Sequence, residues 1–495
     1  MLFEMNSPLL PWPAFVRLVC KVAVLCLIGL PCGFAADPRA SVLQAKIAAL
    51  QGRPNIIFIL ADDLGYGELG CYGQEKIKTP HLDKLASEGM RFTQFYAGSP
   101  VCAPSRAVLM TGLHVGHVSI RGNGVVPLAT NETTIAELLH DAGYQTAIFG
   151  KWGLGLTNTP STPDLRGFDE WLGFLDQNHA HDYYPGYVWR SSKLSAEIEP
   201  LQPTVLAGNQ NGAHGLYVHD VFTRAATNFI RGAKYKPFLL YLPYTIPHAN
   251  NELKDQGMQV PSDAPYTGEA WPQAEKNKAA MITRLDHDVG SIMAQLKSLR
   301  LESNTVVFFA SDNGPHKEGG VNPDFFKSSG ALRGIKRDVY EGGIRVPMIA
   351  RWPGKIPAGI SSTQIWSFCD FLPTAAEIAG LTPPHHIDGI SMLPALLGKR
   401  QTNQHSFVYW EFHEKGSRQA IRSGNWKAIR LSPGLPLELY DLQSDLGETN
   451  NVAAANPSVV KRLDALLKSA RSESAHWPLR AAAQQAAARK AQASQ

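Results

Sequence analysis

"NIIFILADDLGYG", residues 55–67, runs an unbroken apolar stretch, Ile56 to Ala61, straight into the pair Asp62 and Asp63 and a glycine-rich turn. An apolar run of this length without polar alternation suits a strand covered on both faces, as in the centre of a parallel sheet. Four more stretches share the design: "YQTAIFGKWGLG" from Tyr144, "KPFLLYLPYTIPH" from Lys236, "TVVFFASDNGPH" from Thr305 and "IRVPMIARWPG" from Ile344. Helical patterns lie between them, among them "TIAELLHDAGY" from Thr134 and "AAMITRLDHDVGSIMAQLKSL" from Ala279. Alternation of this kind predicts an α/β fold with a large, mixed, mainly parallel sheet flanked by helices.

In open α/β sheets ligands bind beyond the carboxyl ends of the strands. Here those ends deliver Asp62 with Asp63, Lys151, His248, and Asp312 with Asn313. Each alone has a plain reading as a turn or cap residue. Together at one edge they call for a ligand. Three carboxylates and an amide carbonyl form an all-oxygen set that suits a hard cation, Ca²⁺ ahead of Mg²⁺ because magnesium usually keeps more water.

With 495 residues, 44% hydrophobic and 18% charged, the chain is globular, and its net charge of +4 carries no nucleic-acid footprint and no polybasic membrane patch. Arg17 and Lys21 precede the apolar run "VAVLCLIGLPCGFA" and the small residues Ala35 and Ala36. This is the layout of a secretory signal peptide over residues 1–35, and the run is shorter than a membrane span needs, so we expect export to the periplasm or outside the cell without stable membrane insertion. Three cysteines remain after the signal, Cys71, Cys102 and Cys369. An odd count in an oxidising compartment leaves at least one thiol unpaired. Cys71 and Cys369 read either as a bridge or as two buried thiols.

The expected catalytic domain runs over residues 53–385 and ends near "LTPPHHIDG". Over 404–478, "HSFVYWEF", "RQAIRSGNWKAIRL" and "LELYDL" read as short antiparallel strands, followed by the helix "NPSVVKRLDALLKSARSE". Residues 479–495 form a low-complexity tail.

Cys102 stands in "SPVCAPSRAVLMTG", residues 99–112. A strand and loop lead up to it and a helix follows, with Pro104 in the first turn. The thiol therefore sits at a helix N-terminus, where free N–H groups favour negative charge. A buried filler thiol is the plain alternative.

These motifs, taken in order, resemble the type I sulfatases of the alkaline-phosphatase superfamily. "CAPSR" is similar to the core of the first sulfatase signature and "GYQTAIFGKWGLG" to the second. "ADDLGYG" and "SDNGP" resemble the two metal-binding motifs, "LRGIKRDVYEGGIRVP" the segment with a further active-site lysine, and "LYDLQSDLGETNNVA" the late C-terminal motif. The resemblance implies a sulfatase acting on an aryl sulfate or a sulfated carbohydrate. It further implies that a formylglycine-generating enzyme oxidises Cys102 to an aldehyde, whose hydrate attacks sulfur and then expels sulfate. Carried over residue by residue, Asp62, Asp63, Asp312, Asn313 and an oxygen of the modified Cys102 would face the cation. Arg106, Lys151 and Lys336 would hold the diol and the sulfate oxygens, and His248 would lie beside Lys336 at the leaving-group oxygen.

One position departs from the pattern. Most members carry histidine two residues after the lysine of the second signature, where this chain has Gly153. His181 or His179, in the aromatic and histidine-rich loop "DQNHAHDYYPGYVWRSS", is the expected replacement base; His181 is favoured, with Asp182 to orient it. The rival functions are phosphate or phosphonate ester hydrolysis within the same superfamily and an inactive secreted glycan-binding relative.

Overall fold

The computed structural model describes residues 52–124 and 126–484. The expected signal peptide and residues 485–495 of the tail lie outside the described residues.

Ten strands build the main sheet. They are β1 (Asn55–Ala61), β2 (Met90–Phe92), β4 (Gln145–Lys151), β5 (Glu170–Phe174), β6 (Tyr187–Ser192), β7 (Glu199–Val205), β8 (Phe238–Pro243), β9 (Thr305–Ser311), β10 (Met348–Arg351) and β11 (Ile360–Ser362). Between β2 and β4 runs β3 (Phe95–Tyr96), which pairs in parallel with β12 (Trp366–Ser367). The main sheet has the order β11-β2-β10-β9-β1-β8-β4-β5-β6-β7. Its centre, β9-β1-β8-β4-β5, is parallel throughout. β10 is antiparallel to β9, so the fifth apolar run does not aim its carboxyl end at the edge the other four share. Composition reports that a strand is buried on both faces but not which way it runs.

The side chains of β1 show why the run is unbroken. Ile56, Phe58 and Leu60 enter one apolar cluster, while Ile57, Ile59 and Ala61 enter a second on the opposite face. Seven helices matter for the site: α1 (Pro80–Ser87), α2 (Cys102–Thr111), α3 (Ile135–Asp141), α4 (Val218–Ala233), α5 (Gln273–Ser298), α6 (Phe371–Ile378) and α7 (Pro457–Ser469). Side chains of α2, α3 and α6 enter the first cluster, and those of α1, α4 and α5 the second. Every residue of α2 is buried, and the helix stops at Gly112, whose φ of 72° permits the left-handed cap that returns its N–H to Val108. The capping box that Thr134 and Glu137 form starts α3.

The expected C-terminal strands form the antiparallel sheet β13-β14-β15-β16, over Val408–Phe412, Arg418–Ser423, Trp426–Arg430 and Glu438–Asp441, with α7 following. This sheet buttresses the segment leading to Cys102. Tyr96 and Val101 share an apolar cluster with Val408, Trp410 and Phe412, and Trp410 Nε1 donates to the Ala97 carbonyl at 2.9 Å. Below it the buried Lys427 ammonium bridges Glu341 at 2.9 Å and Glu448 at 2.8 Å. Such a buried charge is tolerated only because both partners are in place.

Cys71, Cys102 and Cys369 are free thiols, so the bridge reading of Cys71 and Cys369 falls away. Among the described residues no helix is long and apolar enough to cross a membrane.

Candidate active site

Four neighbouring parallel strands, β9, β1, β8 and β4, bring Asp312 with Asn313, Asp62 with Asp63, His248 and Lys151 to one edge. Asp63 has a φ of 67°. A non-glycine residue in this region costs about 1–3 kcal/mol and is held only where its surroundings fix it. Here its N–H donates to Asp312 Oδ1 at 3.1 Å, and its Oδ1 accepts from Asn313 Nδ2 at 2.6 Å.

Cys102, at the first turn of α2, places Sγ 3.2 Å from Asp62 Oδ1. Burial, then the carboxylates of Asp312 and Asp62, push its thiol well above the ordinary range. The helix N-terminus does not win that contest, so the side chain stays a neutral thiol rather than a reactive thiolate. One turn on, Ser105 Oγ donates to the Asp312 carbonyl at 2.6 Å, and Arg106 Nη2 reaches Asp312 Oδ2 at 2.8 Å and Asp62 Oδ2 at 3.1 Å. Arg106 Nη1 also donates to the Lys151 carbonyl at 3.0 Å, tying α2 to the end of β4.

The lysines sit on opposite sides of the aspartate pair. Lys151 Nζ donates to Asp62 Oδ2 at 2.8 Å, and Lys336 Nζ donates to Asp63 Oδ2 at 2.7 Å and to His248 Nε2 at 2.9 Å. His248 Nδ1 faces the Ala249 carbonyl at 2.6 Å. Nδ1 must therefore carry the proton and Nε2 must accept from Lys336. Burial, then the Lys336 ammonium, lower the His248 pKa to about 3, in keeping with a neutral ring. Burial opposes the charge on Lys336, but Asp63 together with the other acidic groups around it, Glu318 and Asp62 among them, holds the ammonium well above its usual range.

Asp62 and Asp63 stay ionised against burial because Lys151 and Arg106 face the first and Lys336 the second. Asp312 goes the other way. Burial and repulsion from Asp62 raise it to about 7. Asn313 Oδ1 is buried without a hydrogen-bond partner. An orphaned amide oxygen beside three crowded carboxylates fits a hard cation, which would satisfy the first and relieve the repulsion among the others.

His181 and His179 part company. The His181 ring stacks on His248 at 4.8 Å and 12°, next to the site. Its Nδ1 lies 3.1 Å from Glu252, not against Asp182, which instead accepts from the Tyr184 N–H. His179 packs among Phe174 and Tyr187. The loop that holds both is less irregular than its composition suggests: His179–His181 is a short 3-10 turn and Tyr187–Ser192 is strand β6. Sequence reasoning missed Glu252 and His316, whose ring stacks with that of His248 at 6.0 Å. His316 closes the quoted run "SDNGPH", and Glu252 has no local signal, being 71 residues from its partner.

The Sulfatase family profile matches residues 54–381, and the profile described as "N-sulphoglucosamine sulphohydrolase, C-terminal" matches residues 335–473. The N-acetylgalactosamine-6-sulfatase of Canis lupus familiaris is 34% identical over 404 residues, covering 76% of this chain and 71% of that protein. The N-acetylgalactosamine-6-O-sulfatase of Bacteroides thetaiotaomicron is 31% identical, covering 85% and 93%. The solved structure of Ps i-CgsB in complex with k-i-k-neocarrahexaose superposes with a TM-score of 0.71 at 32% identity, covering 84% of this chain and 93% of that one. On these matches the chain belongs to the sulfatase family: it is a type I sulfatase of the alkaline-phosphatase superfamily, a sulfuric ester hydrolase.

Proposed function

We propose that this chain removes sulfate from a sulfated carbohydrate at position 102, with Ca²⁺ held by Asp62, Asp63, Asp312 and Asn313. The observation that carries the reading is the placement of Cys102 Sγ 3.2 Å from Asp62 within a ring of three buried cationic side chains, Arg106, Lys151 and Lys336. The carbohydrate preference draws on the names and ligand of the relatives and on the Tyr, His and Trp side chains of the 176–192 loop. Calcium draws on a site rich in carboxylate oxygens, since magnesium usually keeps more of its water.

An aldehyde hydrate made from Cys102 would supply a hydroxyl nucleophile that reforms the carbonyl as sulfate departs, and a cation held by Asp62, Asp63, Asp312 and Asn313 would polarise the sulfuryl oxygens. The protein's own groups do the rest. Arg106 fixes Asp62 against Asp312 and so sets the spacing of the oxygen ligands. Lys151 and Lys336 present fixed positive charge to a group whose negative charge spreads in the transition state. Lys336 Nζ carries the proton and His248 Nε2 orients it, so Lys336 is the donor to the departing alkoxide and His248 its positioning partner.

With Gly153 in place of the family histidine, His181 takes the remaining proton. Burial, then the Lys151 charge, lower its pKa, so the ring is neutral and able to accept. Glu252 holds its Nδ1. The motif around Cys102 is also the segment a formylglycine-generating enzyme would read, and the N-terminal segment would direct export to the periplasm or beyond.

Screening the modified enzyme against a panel of sulfated glycans, aryl sulfates and aryl phosphates tests the reading. Highest kcat/KM on a sulfated saccharide is expected. Highest efficiency on a phosphate ester would reject it.

A further inference from the structure

The place of the missing imidazole is not empty. Beyond the paired ends of β4 and β5, Gly153 N–H donates to the Leu175 carbonyl at 3.0 Å, which brings Gly153 beside the segment carrying Gln177. A Cβ built on Gly153 would run into Gln177 Nε2, and Gly153 has a φ of 75°, which a larger residue adopts only under strain. The Gln177 Nε2 is shut away from solvent and has no hydrogen-bond partner. An unpaired buried amide donor costs about 1–3 kcal/mol unless something completes it.

Next to this amide lies a cavity of about 290 Å³, lined by Asn123, Gly153, Gly155, Leu175, Asp176 and Gln177 among others. Its lining is tied to the neighbours of the reacting groups: Asn123 Oδ1 accepts from the N–H of Ala103, the residue after Cys102, at 3.0 Å, and Gly153 is two residues beyond Lys151. The volume lies at the small end of ligand sites, enough for one ring and not for a chain. Its chemistry is the reverse of the aspartate cluster: amides, backbone, apolar side chains and one carboxylate, with no Lys, Arg or His among the described lining residues. A second sulfate or a uronate would meet Asp176 and no counter-charge.

We propose that this cavity is a subsite for an uncharged pyranose ring of the leaving alcohol, and that Gln177 is a specificity-determining residue whose Nε2 donates to a hydroxyl or amide-carbonyl oxygen of that ring. Gly153 is small because the ring and the Gln177 amide share the space an imidazole would fill. The inference rests on the sulfatase reading of position 102, and the test separates the two.

The full-length enzyme with position 102 modified is assayed on 4-nitrophenyl sulfate, galactose 6-sulfate, N-acetylgalactosamine 6-sulfate, N-acetylglucosamine 6-sulfate and N-acetylgalactosamine 4,6-disulfate. The aryl ester reports the sulfate-cleaving machinery alone. Gln177→Ala should raise KM at least fivefold for the best of the three monosulfated sugars while kcat/KM on the aryl ester stays within twofold, and the wild type should prefer that sugar to the disulfate. Gly153→Ala, which displaces the Gln177 amide, should reproduce the split. Calorimetric binding of the desulfated sugar should weaken in parallel. The subsite is overturned if Gln177→Ala leaves saccharide KM unchanged or lowers aryl and saccharide turnover alike. It is also overturned if the wild type cleaves the aryl ester but none of the three monosulfated sugars. Failure on every sulfate ester would overturn the proposed function itself and this inference with it.

Discussion

The two sides of position 102 differ in almost every physical respect. On one side Asp62, Asp63, Asp312, Arg106, Lys151 and Lys336 are buried and joined in ion pairs, most of them anchored on or beside rigid strand ends and helix α2. On the other, Gln177, Asn123 and Gly153 line a space without cations, much of it carried by loops. A sulfate group is the same in every sulfate ester and is met by fixed charge whose reorganisation would slow the chemistry. The alcohol it leaves behind differs from ester to ester and is met by neutral groups that loops can vary without disturbing the charged frame.

The charged side should be the more fragile. Asp63→Ala or Asp312→Ala should lower kcat/KM on any sulfate ester by on the order of 10³-fold, since each removes an oxygen ligand and unbalances buried cations. Calcium binding measured by calorimetry should be lost together with activity. A variant that kept its activity while losing the metal would detach the cation from the chemistry.

His181 stacks on His248 beside the charged side. His181→Ala should still release one equivalent of alcohol in a burst and then slow by about 10²-fold, as expected for loss of a proton acceptor. Rapid-quench kinetics would show the burst, and normal steady-state turnover would return the proton to a carboxylate or to water. Glu252→Gln should cost less, about tenfold, because it loosens the His181 ring without removing it.

The smallest effect is one of stability. In chelator, the Asp312 carboxyl is held protonated up to about pH 7 by burial and Asp62, against about 3.8 in the unfolded chain. The folded state therefore binds the extra proton between those limits, so this contribution is present at low pH and is lost as pH rises from about 4 to 7. Asp312→Asn carries no such proton, so its melting temperature relative to wild type should rise by several degrees across that window. Calcium should abolish the difference in slope. A constant offset between the two proteins would contradict the pKa assignment.

What the sequence revealed follows the same division. The charged side was legible because strand-ending acids, "CAPSR" and "GKWGLG" are local strings, and the apolar runs before them mark strands buried on both faces. Strand direction was not legible: β10 joins the sheet antiparallel. The neutral side was marked only by a gap, Gly153. Its filling by Gln177 depends on how β4 and β5 extend past their ends, and the orienting partner of His181 proved to be Glu252, across the fold, rather than the adjacent Asp182. Contacts made at long sequence separation leave no local pattern.

The most direct measurement couples the state of position 102 to turnover. Preparations with graded fractions of thiol and aldehyde at Cys102, quantified by mass spectrometry of the peptide that contains it, are assayed on 4-nitrophenyl sulfate beside Cys102→Ala. The rate should rise in proportion to the aldehyde fraction, extrapolate to zero for the thiol and be absent in the alanine variant. Robust multiple turnover by the thiol form or by Cys102→Ala would contradict the account.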